Sequence, residues 1–350
     1  MLIDKHFFPR DKVCGDAIGS RAINVLKKID PSLAAAFESF SEKAPSKGWK
    51  LVSPGGKEIS VNFKLEGSVS RRMHFDNWLM QRVRESPEIA IKEGVEVESV
   101  RRSEDKIILQ TTEHGSAECG LVIACDGAHS VVAKSLAGFV PDWKHYSGAV
   151  RAYYDGILGM EKGMIEIHLD KRFMPGYFWI FPLSESEANV GFGMLSSELR
   201  KNKIDLKSAL EEIIRGSPKL AFRFAKANRT SDIRGFGLPL GGRKLPVSGE
   251  RFMLCGDAAS LIDPLNGEGI GNAMWSGMLA AEQAIACFGQ QRFDASFLTD
   301  YDRRLYEKFL PELRKKLFLQ RLFNRPKMVD WIVGWGQSSP AFRNWIARQL

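Results

Sequence analysis

Arg251-Phe-Met-Leu-Cys-Gly-Asp-Ala-Ala-Ser-Leu-Ile-Asp-Pro-Leu-Asn-Gly-Glu-Gly-Ile-Gly-Asn-Ala-Met274 is the stretch whose reading decides the fold. Phe252 to Cys255 is a short apolar run, which predicts a buried strand. Gly256-Asp257 ends it, and Pro264, Gly267, Gly269 and Gly271 shape a tight turn. Small and apolar residues then recur at helical spacing, from Ile270, Ala273 and Met274 to Ala281, Ala284 and Ile285. A strand ending in Gly-Asp, then a glycine-rich turn into a helix, is good chemistry for a phosphorylated or polyol-bearing cofactor. Asp257 can accept hydrogen bonds from polyol hydroxyls. Free N–H groups at a helix start can face negative charge. The same pattern suits an ordinary strand–turn–helix corner with an exposed Asp. Gly267-x-Gly269-x-Gly271 is not the G-x-G-x-x-G dinucleotide fingerprint.

Outward from this stretch, the chain alternates β and α signals at both ends around a strand-rich middle. Leu2-Ile3-Asp4-Lys5 reads as the last residues of a strand. Ser20 is the expected N-cap of a helix carrying Ala22, Ile23, Val25, Leu26 and Ile29, ended near Asp30-Pro31. Residues 48–70 predict a β-hairpin about Pro54-Gly55-Gly56. A helix follows from Arg71 to about Arg84, then strands over 94–102 and 106–112. Leu121 to Cys125 is a short apolar strand ending in Asp126-Gly127, followed by a helix from Ser130 through Leu136. Four strands are expected within 146–194, a helix over 205–227, and an extended segment over 234–240. Helices are expected at about 268–287, 294–322 and 326–347. This pattern predicts an α/β chain (α+β overall). A Rossmann-like cofactor domain of residues 1–47, 71–140 and 245–290 is interleaved with a mainly antiparallel substrate domain of 48–70 and 141–244. A helical region of 291–350 follows.

At 350 residues, with 44% apolar and 26% charged residues, the chain has material for a full core. Its five cysteines form no C-x-x-C and no cluster with His, so neither a metal site nor a disulfide framework is expected. An odd cysteine count without a secretory signal suits a reducing cytoplasm. No apolar run approaches the roughly 20 residues of a membrane span. Residues 303–350 carry 11 Lys/Arg against 3 Asp/Glu, which equals the whole net charge of +8. The basicity therefore belongs to the tail. That tail also holds Trp331, Trp335 and Trp345. A basic, aromatic, amphipathic helical tail suits peripheral contact with an anionic membrane, and equally a helix pair covering the substrate domain. No nucleic-acid module surrounds these charges.

Four patterns stand in a telling order. They are Phe8-Pro-Arg10-x-Lys12-x-Cys14-Gly15, Asp126-Gly127-x-x-Ser130, Tyr177-Phe-Trp179-Ile-Phe181-Pro182 with Gly191-Phe-Gly193, and Gly256-Asp257 through Pro264-Leu-x-Gly267-Glu-Gly269. Over about residues 2–290 the chain resembles the geranylgeranyl reductase family of FAD-dependent oxidoreductases, within the para-hydroxybenzoate-hydroxylase-like superfamily. The resemblance implies that Asp257 holds the ribityl chain. It implies that Gly256, Pro264, Gly267 and Gly269 shape the approach to the isoalloxazine ring. Asp126-Gly127 would lie near the phosphates, and Asp4 would stand where the ribose-binding acid is expected. Arg72, in Arg-Arg-x-x-Phe-Asp, is a candidate for a flavin or pyrophosphate contact, or an exposed helix-start cation. Cys14 is the catalytic candidate, a thiol that orients substrate or relays a proton, or else a small buried residue.

Tyr177, Trp179 and Phe181 alternate along a strand and share one face. That face suits an isoprenoid tunnel or a sheet core. The implied activity is hydride delivery from reduced flavin to C=C bonds of a prenyl lipid, with NAD(P)H or another donor. The superfamily also allows a monooxygenase, either hydroxylase or epoxidase. Two departures stand out. The family continues Cys-Gly-Gly where this chain has Asp16. No strand with G-x-G-x-x-G precedes the acid-ended strand, so an N-terminally truncated cofactor domain with weakened FAD binding is expected.

Overall fold

The stretch from Arg251 folds as its residue types dictate. Phe252–Leu254 is a buried strand, parallel to Val122–Ala124 on one side and antiparallel to Ser248–Gly249 on the other. Gly256 follows at φ +57°, where a Cβ would stand 2.8 Å from that of Ala273. Only glycine allows the strand end to lie so close to the helix Ile270–Gln290. The protein is described by a computed structural model that covers residues 1–112, 115–339 and 341–343.

Parallel pairing recurs at Leu2–Asp4 with Ile91–Glu93. A separate antiparallel meander runs through Val97–Ser103, Lys106–Thr111 and Gly115–Cys119. The core here joins Met253, Leu254 and Ala280 to Leu298, Tyr301, Leu305 and Phe309. The helix Ala295–Leu322 is therefore packed onto the parallel-strand layer.

The second layer is a nine-stranded sheet. Its spatial order is Asn228–Arg229, Tyr146–Asp155, Glu187–Leu195, Tyr177–Pro182, Met164–His168, Ala44–Val52, Glu58–Val69 and Ala17–Ile18. Arg234–Pro239 also pairs with Tyr146–Asp155. All its pairings are antiparallel except that of Met164–His168 with Ala44–Val52. Strands from residues 44–69 and from 146–239 thus belong to one sheet. Helices Leu206–Gly216 and Pro218–Phe224 pack on one of its faces through Leu210, Ile213 and Phe224.

Several local expectations are corrected. Gly19, not Ser20, is the N-cap of Ser20–Ile29. Asp30-Pro31 ends that helix but also starts another, Pro31–Glu38, with the Asp30 carboxylate accepting from the Ser32 amide. The helix expected over 205–227 is two helices, because Pro218 takes a first-turn position behind the Ser217 cap. Gly191 and Gly193 lie inside the strand Glu187–Leu195, within the strand-rich 146–194 as expected. The final helix spans Pro326–Ser338, and part of the stretch expected to extend it to 347, Trp345 included, lies outside the described residues.

Candidate active site

A cavity of about 820 Å³ is lined by residues of both layers and of the C-terminal helices. On one side is the glycine turn. Asp257 lines the cavity, its Oδ2 standing 3.6 Å from Lys12 Nζ. The Asp263 carboxylate organises the turn, accepting from the Leu265 and Asn266 amides and pairing with the buried Lys316. Gly267 is at φ +74°, with its would-be Cβ 2.8 Å from the Tyr177 hydroxyl. That hydroxyl donates to the Asn266 carbonyl at 2.8 Å, which ties the turn to the antiparallel sheet. Gly269 begins the helix Ile270–Gln290 with no side-chain cap, and both Gly269 and Ile270 line the cavity. Arg21 bonds to Glu312 and to Asn272. Burial raises Glu268 above the usual carboxyl range, with Arg21 and Lys316 pulling against it.

Opposite are the Cys14-Gly15-Asp16 turn and the strand Tyr177–Pro182. Alternation divides the strand. Phe178 and Ile180 enter the core beneath the helices, while Tyr177, Trp179 and Phe181 line the cavity. Their rings form a ladder with centroids 5.9 and 6.0 Å apart. Trp179 lies over Gly191, its register partner on the next strand, where any Cβ would collide with the indole. Trp179 Nε1 donates to Asn189 Oδ1 at 2.9 Å. Gly15 faces the Phe181 ring, 3.0 Å from its would-be Cβ. The Arg72 guanidinium lines the same cavity as Cys14 and is held by two bonds of 2.6 and 2.8 Å to Asp76.

The cavity therefore brings together Cys14, Arg72, Asp257, Pro264, Gly267, Gly269, Tyr177, Trp179 and Phe181. Gly256 lies just behind Asp257. Arg72 is not an exposed helix-start cation, because Asp76 and the cavity wall enclose it. Four expected residues, Gly256 among them, lie outside the cavity lining. Asp4 accepts from the His6 amide at 2.9 Å. Asp126 accepts from the Val131 and Val132 amides at the start of Val131–Leu136, and Gly127, at φ +78°, precedes that helix. A short carboxylate beside a helix start is captured by the orphan amides there.

Sequence reasoning missed Asp16, Tyr153, Arg151 and Asn189, which form a buried polar group beside Cys14. The one available signal was Asp16 itself, in a place the family fills with glycine. It also missed the wall supplied by Trp49, Leu51, Phe63, Phe323, Ile332 and Val333.

Residues 147–224 match the family model for the geranylgeranyl reductase catalytic domain. A menaquinone reductase of Mycobacterium tuberculosis is 30% identical over 297 residues, covering 81% of this chain and 69% of that protein. The chain belongs to the geranylgeranyl reductase family. It is an FAD-dependent oxidoreductase. Another relative in this family is digeranylgeranylglycerophospholipid reductase 2 of Methanopyrus kandleri. It is 29% identical over 286 residues, covering 78% of this chain and 69% of that protein. Among solved structures, a geranylgeranyl bacteriochlorophyll reductase-like protein of Thermoplasma acidophilum has the same fold. Its TM-score is 0.82 at 21% identity, over 95% of this chain and 83% of that one. A flavin-dependent brominase shares the fold at TM-score 0.78 and 18% identity, over 99% of this chain and 85% of that one.

The cavity's donor set fits the ring end of such a cofactor. A carboxylate stands beside a helix start without a side-chain cap, and a positive-φ glycine opens the adjoining turn.

Proposed function

We propose that this member of the family saturates C=C bonds in the isoprenoid chain of a lipid or quinone. The observation that carries the reading is the aromatic ladder of Tyr177, Trp179 and Phe181, facing a cavity that continues along Leu51, Phe63, Ile165 and Met174. A curved apolar chain needs a contiguous apolar wall, and the cavity has one running from the glycine turn to the C-terminal helices. When bound, reduced FAD supplies the hydride. Asp257 holds its ribityl hydroxyls, while Gly267 and Gly269 bring backbone to the ring edge where negative charge gathers upon reduction. Cys14, on the same cavity wall as Arg72, orients the substrate or relays a proton. Electrons come from NAD(P)H or another donor.

The tail supports peripheral contact with a membrane. The Pro326–Ser338 helix puts Ile332 and Val333 toward the cavity while Trp331 and Trp335 stay exposed. Phe318 and Leu322 are exposed as well, among the exposed Arg314, Lys315, Arg321, Arg325 and Lys327. Among the described residues no helix is long and apolar enough to cross a membrane. This surface suits shallow seating on anionic lipid, with the cavity beside the bilayer that stores its substrate.

The test is anaerobic incubation of the dithionite-reduced protein, with added FAD, on menaquinone and on geranylgeranyl glycerolipid. Mass spectrometry is expected to show products heavier by two hydrogens per bond. No saturated product from either class, or an oxygenated product in air, would overturn the reading.

A further inference from the structure

Asp16 is wholly buried, sits at φ +68°, and yet contributes to the cavity lining. An Asp held in a conformation that favours glycine, away from water, is strained and desolvated at once. Its Oδ2 accepts from the Tyr153 hydroxyl and from Asn189 Nδ2, each at 2.8 Å. The same Asn189 amide reaches the Cys14 carbonyl at 2.8 Å, so the acid and the Cys14 backbone are tied by one side chain. Asp16 Oδ1 has no partner among the described residues.

This pattern is that of a neutral acid. One oxygen behaves as a carbonyl and accepts twice, and the other is left as a hydroxyl with a proton to give. The charges facing it do not demand ionisation. Arg151, from the neighbouring strand, is paired with Asp11 at 2.7 Å, and Arg72 is paired with Asp76. Arg71 lies over the Tyr153 ring and pairs with Glu187.

We propose that Asp16 is the acid that protonates the substrate double bond. The inference rests on the reading of the reaction as C=C saturation. The Asp16 O–H bond and the alkene π bond break, and the proton forms a C–H bond at the less substituted carbon. Positive charge develops on the more substituted carbon, which takes the hydride that reduced FAD supplies when bound. The alkene gains two electrons, the flavin loses two, and the Asp16 carboxylate regains a proton from water after product leaves. The faces of Tyr177 and Trp179 favour the developing cation. Burial supports the assignment by pushing Asp16 up to about 6, against the pull of Asn189, Tyr153, Arg151 and Arg72. The acid therefore keeps its proton through mildly acidic pH.

The test compares wild type with Asp16→Asn and Asp16→Gly, the second relieving the positive φ. Each is reduced anaerobically and mixed with menaquinone or geranylgeranyl glycerolipid while flavin reoxidation is followed. Both variants are expected to reoxidise at least about 100-fold more slowly. The wild-type rate is expected to fall as pH rises through about 6, and the variants' rates to stay flat. Infrared difference spectra are expected to show a protonated-carboxyl band that wild type loses over the same pH range and Asp16→Asn lacks throughout. Variants that saturate the chain at the wild-type rate, or a wild type without the titrating band, would overturn the assignment. A wild type that has the band but saturates neither substrate overturns the substrate reading instead, and with it the step drawn here.

Discussion

The replacement Asp16→Asn leaves both hydrogen bonds to Oδ2 available and puts an amide where Oδ1 now has no partner among the described residues. Asn also tolerates the left-handed backbone at φ +68°. The substitution therefore removes the titration and little else. In the folded protein Asp16 holds its proton up to about 6, against 3.8 for an unperturbed Asp. A folded value above the unfolded one means that stability is undiminished below the unfolded value and is lost as pH rises through the folded value. That gap, at about 1.4 kcal/mol per pH unit, comes to about 3 kcal/mol. Asp16→Asn is thus expected to gain about 3 kcal/mol over wild type between about pH 2 and pH 7, most of it between about pH 4 and pH 6, with no further gain above pH 7. Urea unfolding across that range, at one fixed FAD concentration because the cofactor itself stabilises the fold, measures the difference. A difference that does not change with pH, or one that shrinks as pH rises, would refute the reasoning.

Glu166 is buried against Arg223 and His168, and these partners hold it at about 2 although burial alone would raise it. Arg223→Met is expected to cost about 3–5 kcal/mol at neutral pH by leaving that charge unpaired, with Glu166→Gln in the same chain recovering part of it in urea unfolding. Gly191→Ala forces Trp179 off its strand. It is expected to cost about 1–3 kcal/mol and to shift Trp emission to the red as an indole becomes exposed. Gly267→Ala meets both a positive φ and the Tyr177 hydroxyl, and is expected to lower retained flavin, read from the visible absorbance of the purified protein. Replacing Trp331 and Trp335 by Ser is expected to reduce co-sedimentation with anionic vesicles while leaving cavity-bound flavin unchanged.

Much of the architecture is legible in the chain. Apolar runs that end in Gly-Asp or Asp-Gly mark the ends of parallel strands, and period-two alternation marks the antiparallel ones. Alternation also placed Tyr177, Trp179 and Phe181 on one face without deciding whether core or cavity covers it. The helix capped by Asp30 was missed because Pro31 reads as a stop in sequence, whereas a proline also suits the first turn of a new helix. Asp4 and Asp126 read as cofactor acids, yet each is bonded to nearby backbone amides. A short carboxylate can serve either role, and local sequence does not say which amides will reach it.

The order of motifs, the strand periodicity and the glycine turn from Gly256 to Gly269 were determined by sequence alone, because each depends on residues close together in the chain. Tertiary structure alone decided that the aromatic face opens on a cavity. It alone decided that the C-terminal helices close that cavity, and that Asp16 meets Tyr153 and Asn189 with one oxygen left over. Those contacts join residues 137 and 173 positions apart. Burial and hydrogen-bond completion depend on what the fold packs around a side chain, which no local pattern encodes.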